Sequence, residues 1–452
     1  MSETYGDWMR RCATAPVAEA GRLLGSGGLV VLAPHPDDET FGAAALLCEV
    51  ARSGRPLGIV ALTDGNASHP HSKAVSPAAL AEIRQAEQEA AIAAFGIEHP
   101  HWLRLGLPDG GAGRDRRFGD AAEQVARFCD AVGAETLAAP HPDDPHPDHH
   151  AAAALAEAVR ALRPALRLLF YPVWSMRLTG DDPYLGADLL PFRIAVDRET
   201  KVRAIECHAS QLGRLIEDDP DGFVLPGWFL TAQDAPYEIY ALAPMPGEVP
   251  PASHFAELYA NDGDPWHARS SAYEIDKRAD NCDQLKGLTF EAGLDIGCGE
   301  GHLTRALVEK PSVRTMLGID RNKGIVERAR RAHAGIPALR FETYALPTEL
   351  PEGRFDLVVI SELLYFLDEL ALATLARLLA DRMTPGASLL LVNYLGETGT
   401  PLSGRAAHDL LVALFGSTLR SISLRETEDY RAELLQFYPE GEAGPEGSAP
   451  SH

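Results

Sequence analysis

The chain has 452 residues, 46% apolar and 23% charged, and its 41 basic against 65 acidic residues give a formal charge of -24. That length exceeds what one hydrophobic core usually serves, so two domains are expected, and the composition is that of a globular protein. The acidic balance, with no basic stretch to offset it, would repel a phosphate backbone and speaks against nucleic acid as a partner.

No apolar run reaches the roughly 20 residues that span a bilayer, and MSETYGDWMRRCATAP lacks the basic-then-apolar order of a signal peptide. A cytoplasmic location with no membrane partner is expected. Six cysteines (Cys12, Cys48, Cys129, Cys207, Cys282, Cys298) show no paired spacing and read as reduced thiols.

The first strand signal is GLVVLA, stopped by Pro34 and Pro36, which suit the first turn of a following helix. This places His35, Asp37 and Asp38 at the C-terminal end of a parallel strand, where open α/β sheets hold their sites. His35 and Asp38 are three apart, so an imidazole and a carboxylate can converge on one divalent ion, leaving Asp37 for another role. LGIVALTDG follows as a second strand. ETLAAP then leads into PHPDDPHPDHH, which opens an Ala-rich helix and supplies a third ligand. His146 and His149 are three apart, so one can bind metal while the other faces the substrate. Two His and one Asp with an open position make a catalytic zinc geometry.

Together PHPDDE and HPDH, with IRQAE, LGLPDG and KVRAIECHASQL, resemble the PIG-L or LmbE family of zinc-dependent N-deacetylases over about Leu29 to Ala243. The resemblance implies that His35, Asp38 and His149 bind Zn2+, that Asp37 is the general base, and that His146 stabilises the oxyanion with Asp148 orienting it. It implies sugar contacts for Arg84 and Asp109. His141 belongs to neither motif, and Asp144 stands two residues before His146, where some members carry a tyrosine.

Four prolines between Pro244 and Pro251 mark a linker. The expected division is a deacetylase domain over 1–243, a linker over 244–252, a second domain over 253–440 and a disordered tail over 441–452, with two doubly wound α/β sheets, largely parallel. In the second domain GLDIGCGEG runs a strand into a glycine loop and a helix, and MLGID and FDLVVIS supply further strand ends. With MTPGASLLLVNY, these resemble class I S-adenosylmethionine methyltransferases. The resemblance implies that Asp295, Gly297 and Gly299 approach the methionine part of the cofactor and Asp320 the ribose. Thr343, Tyr344 and Ala345 stand where many members place an acidic residue against adenine.

The segment HFAELYANDGDPWHARSSAYEIDKRADNCDQL, with SELLYFL, is similar to the nodulation-type N-methyltransferases, which methylate the free amine of a deacetylated chitin oligosaccharide. Trp266, Arg269, Tyr273 and Lys277 then form a lid, and Glu362 and Tyr365 are candidates for the methyl-transfer step. The expected function is bifunctional: hydrolysis of the N-acetyl group of an N-acetyl amino sugar, then methylation of the amine. Two other functions fit the same sequence. The second domain acts as a cofactor-binding sensor or scaffold, or the hydrolase acts on another sugar conjugate and the methyl acceptor is oxygen or carbon. The partner is a small-molecule amino sugar; the oligomeric state is left open.

Overall fold

The apolar runs form strands because they are covered on both faces. The computed structural model describes residues 4–184, 189–245, 264, 267–309, 313–400 and 402–439, and they divide into two units, Met1–Met245 and Pro246–His452. Pro246–Pro251, Trp266 and the tail 441–452 lie outside the described residues.

In the first unit the strands are β1 (Gly28–Ala33), β2 (Leu57–Thr63), β3 (His101–Leu107), β4 (Ala134–Pro140), β5 (Arg167–Tyr171), β6 (Leu190–Ala195) and β7 (Tyr237–Leu242). They lie in the order β3-β2-β1-β4-β5-β7-β6. The first five are parallel, and β7 runs antiparallel to both β5 and β6. Every residue of β1 and β2 is buried, as befits parallel strands between helical layers.

The second unit repeats that order. Its strands are β8 (Phe290–Ile296), β9 (Val313–Asp320), β10 (Leu339–Thr343), β11 (Phe355–Ser361), β12 (Met383–Tyr394), β13 (Leu419–Glu426) and β14 (Tyr430–Phe437). The sheet reads β10-β9-β8-β11-β12-β14-β13, parallel up to β12 and antiparallel at β14 and β13. Each unit is therefore a doubly wound α/β sheet. In each the strand order reverses next to the first strand, at β1/β4 and at β8/β11, which opens a crevice at the carboxyl ends. Among the described residues no helix is long and apolar enough to cross a membrane.

Two turns after β1 and β4 differ in detail. Pro36 lies in the turn that precedes the helix Asp38–Gly42, not in its first turn, and Asp37 stands at the N-cap without a side-chain capping bond. Pro147 does occupy the first turn of Pro147–Leu162, and His146 is its N-cap.

A buried ion pair fixes the short helix that carries Asp38. Lys201 Nζ donates to Phe41 O at 2.9 Å and to Glu238 Oε1 at 2.6 Å, while Glu238 Oε2 accepts from Ala45 N at 2.8 Å. Gly42 is also required here, since a Cβ would stand 2.1 Å from the Tyr171 ring. Removing one partner of a buried pair leaves an uncompensated charge. Lys201→Met is therefore expected to lower the stability of the first unit by about 3–5 kcal/mol in urea unfolding, and Lys201→Met with Glu238→Gln to recover part of it. An unchanged midpoint in the single variant would show that the pair does not anchor the helix.

Candidate metal centre and cofactor cavity

The divergence of β1 and β4 brings the two HPD segments together. Asp38 Oδ2 lies 3.1 Å from His35 Nδ1 and 3.2 Å from His149 Nε2. The ligand atoms of a tetrahedral zinc, each about 2.0–2.1 Å from the ion, stand about 3.3 Å apart, so each of these two separations suits a pair of ligands on a shared metal. His149 Nε2 is buried and makes no hydrogen bond. A cation facing it would supply the missing partner.

The far sides of both rings are held by carboxylates. His35 Nε2 lies 3.2 Å from Asp109 Oδ1 and 3.4 Å from Asp148 Oδ2, and His149 Nδ1 lies 3.2 Å from Asp144 Oδ2. A proton shared with these acceptors leaves the lone pairs of His35 Nδ1 and His149 Nε2 directed at Asp38, the usual outer support of a metal-binding histidine. Burial alone would lower the pKa of both rings, yet the surrounding carboxylates raise it, His149 to about 9. Burial likewise pulls Asp38 up, and the two rings outweigh it and hold the carboxylate well below the usual range. The cluster is built to seat positive charge.

One expected contact differs as a result. The Asp148 carboxylate does not reach the His146 ring as an orienting acceptor: it takes the N–H groups of Gly110 at 2.6 Å and Ala112 at 2.9 Å, and faces His35. His146 is oriented instead by the backbone, because its Nδ1 accepts from Asp148 N at 3.2 Å as the helix cap. Its Nε2 then carries the proton. Burial lowers its pKa to about 4, so the ring is neutral. Asp109, expected at the sugar, is tied to His35 and to Ala67 N at 2.9 Å.

Asp37 is held by an arginine. Its carboxylate lies 3.1 Å from Arg84 Nη2, and burial raises its pKa against the pull of that guanidinium. Arg84 is itself buried, its Nη1 donating to Gly65 O at 2.8 Å, so it stands behind Asp37. His35, His146 and His149 each offer a nitrogen within 4.8 Å of the others, which puts His146 beside the ligands.

Asp144 is the residue that spacing did not find. Besides His149 it accepts from Val173 N and Trp174 N, both at 2.7 Å. Those donors arrive from the turn after β5, so no local pattern pairs them with it. His141 joins an aromatic stack with Trp8 and Tyr184 and has no place in the ligand set. His208 Nε2 lies 3.1 Å from Thr40 Oγ1, and Gln211 bonds Ser210 and Ser68.

In the second unit the crevice between β8 and β11 is a cavity of about 690 Å³. Asp295, Gly297, Gly299, Asp320, Glu362 and Tyr365 all line it. Gly297 has φ +77 and a Cβ there would press on Leu363, so glycine lets the backbone turn into the cavity. Asp295 accepts from Thr304 Oγ1 at 2.6 Å, and burial raises its pKa to about 6. Asp320 receives Gly299 N at 3.1 Å and Asn322 N at 2.8 Å.

Glu362 is at φ +57, a left-handed conformation unusual outside glycine, and it gathers three donors: Lys277 Nζ at 2.8 Å, Tyr365 OH at 2.8 Å and Tyr394 N at 3.0 Å. Of the expected lid, Lys277 and Tyr273 line the cavity, and Arg269 pairs with Glu300 at 2.6 Å on its rim. Thr343, Tyr344 and Ala345 are not among the lining residues, whereas Leu346 is.

Residues 30–160 match the PIG-L family model, described as GlcNAc-PI de-N-acetylase, and residues 294–386 match a methyltransferase domain model. The chain thus joins a PIG-L domain to a methyltransferase domain. A protein of Kineococcus radiotolerans named 1D-myo-inositol 2-acetamido-2-deoxy-alpha-D-glucopyranoside deacetylase is 30% identical over 246 residues, which cover 49% of this chain and 66% of that protein. A ribosomal protein L11 methyltransferase of Burkholderia lata is 36% identical over 108 residues, 23% of this chain and 32% of its own. The solved N-methyltransferase NodS of Bradyrhizobium japonicum WM9, bound to S-adenosyl-L-homocysteine, has 21% identity and a TM-score of 0.37, covering 42% of this chain and 98% of its own.

If His35, Asp38 and His149 hold the metal, elemental analysis should find one zinc per chain in the wild-type protein and none in His149→Ala. Asp144→Asn should weaken metal affinity by about 10–100-fold, as loss of an outer partner does, and His141→Phe should leave it unchanged. Equal metal in wild type and His149→Ala would remove the assignment.

Proposed function

We propose that the first unit is a zinc-dependent N-deacetylase of an N-acetyl amino sugar of the N-acetylglucosamine type, and that the second transfers a methyl group from S-adenosylmethionine to the amine so released. The observation that carries the reading is the convergence of His35, Asp38 and His149 at the β1/β4 crevice, with His149 Nε2 left without a hydrogen bond. Zinc bound there would acidify a water and polarise the amide carbonyl.

The remaining chemistry belongs to the side chains. An amide is a poor electrophile, so its hydrolysis needs a proton taken from water, a donor for the oxyanion and a proton for the leaving amine. Asp37 takes the water's proton and returns it to the nitrogen, with Arg84 fixing the carboxylate. His146, neutral and protonated at Nε2, donates to the developing oxyanion. Arg84 and Asp109 remain the proposed substrate-binding pair.

S-adenosylmethionine bound in the cavity of the second unit would supply its sulfonium methyl to the neutral amine, a C–N bond forming as the C–S bond breaks. Asp320 would offer a carboxylate to the ribose, Asp295 and the backbone of Gly297 and Gly299 would border the methionine part, and Glu362 and Tyr365, which line the same cavity, are the candidates for the methyl-transfer step. The likeness to the deacetylase relative supports the sugar class. The methyltransferase-domain match supports a methyl-transfer step in the same chain, and the order follows from the chemistry, since an amide nitrogen must lose its acetyl group before it is a nucleophilic amine.

The expected outcome by mass spectrometry is an N-methyl product from an N-acetyl amino sugar and S-adenosylmethionine. Asp37→Asn should keep its metal, lose deacetylation by about a hundredfold or more, and still methylate the free amine. Asp320→Ala should stop at the free amine. Methylation of the acetylated sugar by Asp37→Asn would break the sequence of steps, and a protein that binds the cofactor yet methylates no amino sugar would make the second unit a sensor.

A further inference from the structure

An aromatic ledge borders the metal cluster of the first unit, and the proposed hydrolysis does not use it. The backbone N–H of Trp174 donates to Asp144 Oδ1 at 2.7 Å, and the other oxygen of Asp144 lies 3.2 Å from His149 Nδ1. The main chain that carries the indole is thus one side chain away from a proposed ligand. It stacks on Phe229 with centroids 4.4 Å apart and meets Phe223 at 6.0 Å and Trp228 at 6.3 Å edge to face.

The ledge is fastened to the site at two further points. Phe229 is fully buried and packs at 5.0 Å on Phe41, in the helix that begins with Asp38. Phe223 donates its N–H to Ser68 O at 2.7 Å, and the neighbouring Ala67 N holds Asp109, which in turn faces His35. Each proposed metal ligand therefore has a short path to the ledge.

Its outer members are nevertheless open. Phe223 is 40% exposed, Val224 44% and Trp228 50%, although Trp174 and Phe229 beneath them are held in place. Large apolar side chains grouped on a surface mark binding sites more often than scattered ones do, and ligand sites are lined by aromatic rings beside a few polar groups. Here the polar groups are the metal cluster, and the ledge is joined to it through the Trp174 backbone and the packing of Phe229 on Phe41. Ring faces and edges suit an alkyl or aryl group better than a polyol, which needs hydrogen bonds to replace its water.

Resting on the deacetylase reading above, we propose that this ledge binds an apolar substituent, alkyl or aryl, carried by the amino-sugar substrate, with Phe223 and Trp228 as its specificity residues. The amide then lies over the metal cluster while the substituent lies across Trp174 towards Trp228.

The test compares methyl and octyl glycosides of N-acetylglucosamine on the full-length zinc-loaded protein, with the octyl compound below its micelle concentration. The octyl glycoside should have a KM lower by about tenfold or more, a difference of the size that apolar pockets achieve. Trp228→Ala and Phe223→Ala should each raise that KM towards the methyl value, with kcat and the methyl glycoside's kcat/KM unchanged. Trp228 is half exposed, so its removal should leave the melting temperature in place, and Phe223→Ala provides a second reading should it not.

Equal KM values for the two glycosides in the wild type would overturn the proposal. Should neither be deacetylated, titration of the octyl compound against tryptophan fluorescence still decides: saturable binding lost in Trp228→Ala supports the ledge while the hydrolysis reading fails, and no binding overturns both. A concentration-dependent dimer that Trp228→Ala dissociates, with unchanged glycoside kinetics, would make the ledge a contact between copies and overturn the proposal.

Discussion

One carboxylate oxygen, Asp38 Oδ2, stands 3.1 Å and 3.2 Å from nitrogens of two imidazoles in a buried space. With the far nitrogens of both rings facing Asp109, Asp148 and Asp144, two lone pairs and a negative oxygen face one another. With both rings unprotonated, as metal ligands must be, that arrangement is repulsive without a cation between them, and protons on the rings relieve it otherwise. Much of the first unit serves to keep it: the reversal of strand order aims both turns at one crevice, Lys201 and Glu238 pin the helix of Asp38, and backbone N–H groups of four residues fix Asp144 and Asp148.

The two units use one strand order for two kinds of site. In the first, side chains converge on the crevice between β1 and β4. In the second, glycine 297 and its neighbours withdraw side chains from the crevice between β8 and β11, leaving about 690 Å³ bordered by backbone, Asp295 and Asp320. Small ions need convergent ligands, whereas an extended cofactor needs room and a close main chain. The same crevice thus suits a metal reagent in one unit and a bound cofactor in the other.

The fold was legible because β1 and β2 are buried throughout and read as apolar runs, and β8 and β11 carry buried stretches over Leu294–Ile296 and Leu357–Ile360. His35 with Asp38 and His146 with His149 were legible as well, since each pair shares one turn and needs only local spacing. What stayed hidden depends on contacts far apart in the chain. Asp144 draws its donors from Val173 and Trp174, Arg84 reaches Asp37 from another helix, and Asp109 meets His35 across the crevice. The ledge of Trp174, Phe223 and Trp228 was hidden for the same reason: its rings come from separate loops. Asp148 misled in a different way. Its place beside His146 suggested one partner, and the loop at Gly110 took its carboxylate instead.

X-ray absorption at the zinc edge of the purified protein tests the central claim most directly. The account predicts a shell of nitrogen and oxygen scatterers at about 2.0–2.1 Å with the outer-shell signature of two imidazoles, reduced to one imidazole in His35→Ala. Sulfur scatterers at about 2.3 Å, or two imidazoles persisting in that variant, would contradict it.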